Sequence, residues 1–109
     1  MRKGILVVQS GPSDPSRLDE YNDWYTNTHI PDMLSAPGFV SARRYRLMDP
    51  AAAPGQVPTY LAVYELEADD LAEPLAAHRE RRARGLTAPT SDALGTDPPP
   101  VMTLYELLD

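Results

Sequence analysis

His29 stands in the densest chemical stretch of this chain, DWYTNTHIPD over residues 23–32, with Trp24 and Tyr25 before it and Asp32 after it. An imidazole titrates near neutral pH and can take, hold or return a proton. On a continuous helix Tyr25 lies one turn before His29 and Asp32 three residues after it, so the three would share one edge. A carboxylate there would fix the ring's tautomer and stabilise its imidazolium. The same spacing also suits a histidine that only caps a helix broken by Pro31 and bonds a backbone carbonyl. The second histidine, His78, sits beside Arg79 and Arg82 at the margin of an apolar helical stripe, the setting of a partly buried structural imidazole. Two histidines far apart, with no cysteine and no third nitrogen ligand, make a poor metal set, so neither metal nor cofactor is expected.

Trp24, Tyr25, Tyr45 and Tyr64 could wall a pocket for a flat apolar ligand, their polar tips orienting it, although core packing accounts for tyrosines on strands equally well. Arg43-Arg44-Tyr45-Arg46 puts arginines on both faces of a strand. At least one, with Arg44 the candidate for substrate, must face an otherwise apolar side and needs an anion, a carboxylate such as Glu65 or Glu106, or the sheet margin. No Walker loop, G-x-G-x-x-G turn, H-E-x-x-H helix or G-x-S-x-G elbow occurs, which removes support for phosphoryl transfer, dinucleotide binding and serine hydrolysis.

The elements that must hold these groups follow from periodicity. Ile5–Val8 is a short apolar run closed by Ser10-Gly-Pro12, a buried strand. From Arg17, Leu18, Tyr21, Tyr25 and Thr28 recur at helical spacing, with Ser16 as cap and Asp19 and Glu20 in the first turn. Pro31 should kink or restart that helix near His29, and Pro37-Gly38 ends it. Residues 39–48 form a second strand followed by the AAAPGQVP loop, and residues 60–66 a third. Asp70-x-x-Glu73 opens a second helix whose stripe is Leu71, Leu75, Ala72 and Ala76 and whose arginines precede Gly85. Residues 86–100 are loop and 101–108 a fourth strand.

The order β-α-β-β-α-β is the α+β, ferredoxin-like pattern: a four-stranded antiparallel sheet with two helices on one face. The first, third and fourth strands are apolar on both sides, so the face away from the helices is expected to be covered by a second copy in a two-fold homodimer. With 109 residues the chain is read as one domain, residues 1–109. Sixteen acids against ten Lys and Arg give a net charge of −6, which argues against nucleic acid. The apolar run at the N-terminus is too short for a signal or membrane span, and cysteine is absent, so a soluble cytoplasmic protein is expected.

The segment DWYTNTHIPDMLSAPGFVSARRY resembles the W-Y-x-x-x-H-x-P-D-x-L-x-x-P-G-F segment of EthD-like members of the dimeric α+β barrel superfamily, through Trp24, Tyr25, His29, Pro31, Asp32, Pro37, Gly38 and Phe39. The match covers residues 23–45; elsewhere the likeness is one of topology. It implies a homodimeric barrel with a pocket between helices and sheet in each subunit, and a family histidine at His29. Relatives include small cofactor-free dehydratases, cyclases, isomerases and decarboxylases acting on polyketide or aromatic intermediates. The expected activity is accordingly a cofactor-independent lyase or isomerase with His29 moving the proton, Asp32 orienting or balancing it, and Trp24, Tyr25, Tyr45, Tyr64 and Arg44 holding the substrate. Two alternatives stay open: a non-catalytic dimer that binds a hydrophobic metabolite, and a cofactor-free monooxygenase. The superfamily's haem-degrading and quinone-forming monooxygenases use an Asn, Trp and His constellation that this chain does not reproduce.

Overall fold

Alternating burial along β1 (Arg2–Ser10) sets the layering: Leu6, Val8 and Ser10 are buried while their neighbours are half-exposed. The computed structural model describes residues 1–49 and 58–108. Within them β1 is followed by a short 3₁₀ turn (Pro15–Arg17), α1 (Leu18–Trp24), a π-helical turn (Tyr25–His29), α2 (Ile30–Leu34), β2 (Phe39–Arg46), β3 (Tyr60–Ala68), α3 (Glu73–Ala83) and β4 (Val101–Glu106). The four strands form one antiparallel sheet in the order β2-β3-β1-β4. This is the anticipated ferredoxin-like α+β arrangement, with the AAAPGQVP loop lying almost wholly outside the described residues. Among those residues no helix is long and apolar enough to cross a membrane.

Register fixes which side chains meet the helices. Leu6 pairs with Tyr64 and Leu104, and Val8 with Ala62 and Met102, so these share the helix-bearing face. The opposite face carries Ile5, Val7, Leu61 and Val63 at its centre, with Tyr45, Val101 and Tyr105 exposed around them. A β-bulge between Phe39 and Ser41 shifts β2 by one residue, so Phe39, Ala42 and Arg44 point to the helices and Arg43 and Tyr45 away from them.

Two local expectations change and one gains its physical form. Asp14, not Ser16, caps the first helical turn, its carboxylate accepting from the Ser16 amide at 2.8 Å. The helix restarts beside His29 as expected, with α2 beginning at Ile30, but it does so by widening: the Ile30 N–H bonds the Tyr25 carbonyl five residues back, and Pro31, which has no N–H, sits in the first turn of α2. On α3 the buried residues are Pro74, Leu75 and His78, whereas Ala72 and Ala76 face solvent. The stripe runs one position off the predicted one and takes His78 inward. The α3 C-terminus closes as expected, with Gly85 at φ +72° and the Leu86 N–H bonding the Arg81 carbonyl.

Candidate functional site

Between the helices and the sheet lies a cavity of about 350 Å³. Its sheet wall is Val8, Ser10 and Met102; its first helical wall is Trp24, Tyr25, His29 and Met33; its second is Leu75, His78, Arg79 and Arg82; Thr90, Leu94 and Pro100 close it from the loop before β4. The π turn makes the first wall. In an α-helix residues five apart are rotated by about 140° and cannot stack, but the widened turn lays the Trp24 indole on the His29 imidazole, with centroids 4.8 Å apart and planes 22° from parallel. Tyr25 meets the same imidazole edge-on at 5.0 Å.

The second histidine completes the arrangement. His78 comes from the inward stripe of α3, and its ring meets that of His29 edge-on at 6.2 Å. Its Nδ1 is buried with no hydrogen-bond partner among the described residues, as is the Trp24 Nε1. Such unpaired buried groups cost about 1–3 kcal/mol each unless a ligand or water meets them. Both imidazoles are held neutral. Burial first, then the facing His78 and the Arg82 guanidinium, hold His29 down to about 4, against the opposing pull of Asp32. Burial, then Arg82, lowers His78 as well, with Arg81 and Arg79 adding to it and Asp32 opposing. Burial pushes the Tyr25 phenol up to about 12, so it stays protonated.

Of the residues expected at the site, Trp24, Tyr25 and His29 line the cavity. Asp32 stands close enough to act on both imidazoles, but its Oδ2 accepts from the Ala88 amide at 3.0 Å, so it anchors the loop. Tyr64 is fully buried behind Tyr25; the two hydroxyls approach one another but neither finds a well-formed hydrogen bond. Arg44 does not pair with Glu65 or Glu106. Its guanidinium donates to Asn22 Oδ1 at 2.9 Å and Thr26 Oγ1 at 3.0 Å and lies 4.6 Å from the Tyr25 ring centroid, clamping the helical segment to the sheet from outside the cavity. Tyr45 cannot reach the cavity because the bulge turns it to the opposite sheet face. His78, Arg79 and Arg82 are the members that local spacing did not assign. Their one signal was an imidazole three residues after Leu75, on the side of α3 that turns inward.

No group of three or more His, Asp or Glu residues placed to hold a metal ion occurs among the described residues.

Residues 13–87, which include both histidines, match the family described as Domain of unknown function (DUF4286). Core atranone cluster (CAC) protein 1 of Stachybotrys chlorohalonatus is 37% identical over 71 residues, 64% of this chain and 28% of that protein, so the chain spans little more than a quarter of that relative's length. Among solved structures, a Shewanella loihica PV-4 protein described as a "putative monooxygenase" superposes with a TM-score of 0.62 at 18% identity, over 100% of this chain and 98% of that one. An ethyl tert-butyl ether D (EthD) family protein of Bacillus halodurans C-125 superposes with a TM-score of 0.59 at 16% identity, over 99% and 100%. At those identities the two structures speak to fold alone. The chain thus belongs to the DUF4286 family, and it bears that sequence on the ferredoxin-like α+β fold of EthD-like proteins.

Proposed function

We propose that this protein is a cofactor-independent lyase or isomerase for a small aromatic or polyketide-derived carbonyl compound, with His29 as the proton carrier. The observation that carries this reading is the pair of neutral imidazoles meeting at 6.2 Å across an otherwise largely apolar cavity. A neutral imidazole can accept a proton, and a neutral imidazole N–H can donate to a developing oxyanion. In the proposed step His29 takes a proton from the carbon next to a substrate carbonyl. The C–H electron pair moves onto the carbonyl oxygen, and His78 donates a hydrogen bond to the resulting enolate. The imidazolium, balanced by Asp32, returns the proton to another carbon in an isomerisation. In a dehydration it delivers the proton to a departing hydroxyl as the C–O bond breaks. One positioned acid or base contributes about 10²- to 10⁴-fold, enough for substrates already activated by a carbonyl. The name of the Stachybotrys relative, a core atranone cluster protein, supports a small-molecule role. The apolar sheet face, with Val63 at its centre, supports a two-fold dimer closing the two sheets on each other.

Proton abstraction is tested by following carbon-bound hydrogen exchange in D₂O by NMR, with a panel of aryl 1,3-diketones and β-hydroxy ketones. Exchange above the buffer rate in the wild type, lost in His29→Gln, is expected. Exchange at the buffer rate across the panel, or unchanged in His29→Gln, refutes the assignment. A second reading, a non-catalytic binder of a hydrophobic metabolite, is favoured by how far burial depresses His29, since a base near 4 is weakly driven at neutral pH. It predicts ligand-induced shifts in the NMR signals of the cavity residues with no exchange.

A further inference from the structure

The two arginines on the cavity wall are matched by no acid. Among the described residues four of the ten Lys and Arg are ion-paired: Arg17 with Glu20 and Asp92 at 2.6 Å, Arg2 with Glu106 at 3.4 Å, Lys3 with Glu67 at 3.6 Å, and Arg84 with Glu80 at 3.9 Å; of those without an ion pair, Arg79 and Arg82 are the two that line the cavity. Arg79 and Arg82 have no carboxylate within ion-pair distance among the described residues, in a chain where acids outnumber Lys and Arg sixteen to ten. The nearby carboxylate, Asp32, spends an oxygen on the Ala88 amide. The helix dipole favours cations in the last turn of α3, where Arg81 and Arg82 lie, but Arg79 stands before that turn.

We propose that the cavity selects a flat aromatic carboxylate, its anionic group held by Arg79 and Arg82 and its ring packed against Trp24 and Met33. Guanidinium groups suit this role because their fork matches both oxygens of a carboxylate, a geometry lysine does not offer. The aromatic face is supplied by the Trp24 indole already aligned with His29, and the cavity, at about 350 Å³, lies toward the small end of the about 300–1,000 Å³ range of ligand sites. An anion there also offsets the positive charge that bears on both histidines. The inference rests on the same cavity as the proposed activity but not on proton transfer by His29.

Calorimetric titration with benzoate, salicylate and 2-naphthoate, each beside its neutral amide, separates the two. The acids are expected to bind at least about tenfold tighter than the amides, and Arg79→Gln and Arg82→Gln to remove that preference while leaving amide binding in place. His29→Gln is expected to keep the acid preference even where it abolishes hydrogen exchange, so failure of the catalytic reading leaves this one standing. Equal affinity for acid and amide, acid binding undiminished in the double Arg79→Gln/Arg82→Gln variant, or no binding by any of the acids overturns it. A thermal melt of the double variant near that of the wild type shows that any loss is local.

Discussion

Acidification to about pH 5 is expected to destabilise this protein through His29. The unfolded chain holds His29 at the ordinary value near 6.5, while in the folded chain burial keeps it at about 4. Between those values the unfolded state binds a proton that the folded state refuses, so the contribution is complete above the unfolded value and is lost as pH falls toward the folded one. The two values give a loss of about 2 kcal/mol by about pH 5 and about 3 kcal/mol by about pH 4. His78, lowered by burial and Arg82, pulls in the same direction. Asp14 and Asp92, lowered by their bonds to Ser16 and Arg17, titrate below the ordinary 3.8 and stay outside this window. Urea unfolding at about pH 7.5, 6 and 5, in the wild type and in His29→Gln, isolates the His29 share, because contributions common to both cancel. Trp24, the single tryptophan, stacks on His29 and gives an intrinsic fluorescence signal from the site itself. Should the wild type lose no more stability than His29→Gln between about pH 7.5 and 5, or gain some, the picture of a desolvated neutral imidazole is wrong.

Two further outcomes follow from the same structure. Arg44→Met is expected to lower stability by about 1–3 kcal/mol, through loss of its bonds to Asn22 and Thr26 and its contact with the Tyr25 ring, and Arg44→Lys to recover little of it, measured as the shift in urea midpoint. Sedimentation is expected to give twice the 12.0 kDa chain mass, and Val63→Asp, at the centre of the apolar sheet face, to give a single chain that stays folded; a wild type that sediments as one chain contradicts the proposed pairing.

The sequence by itself determined the element order, and with it the fold. Runs such as Ile5–Val8, the helical spacing of Leu18, Tyr21 and Tyr25, and the breaks at Pro37-Gly38 and Gly85 are local signals, because strand, helix and turn preferences act over a few residues. It also marked Trp24, Tyr25 and His29 as neighbours. The tertiary structure decided the rest, because each remaining feature depends on partners distant in sequence. His78 faces His29 only because α3 packs across the same cavity. Arg44 clamps the helix and Tyr45 leaves the site only because one bulge in β2 shifts the alternation of that strand, and a shift of one residue sends every later side chain to the other face. Trp24 reaches His29 only because the helix widens before Pro31. The neutrality of both imidazoles is likewise a product of burial, and burial exists only once the whole chain has folded around them.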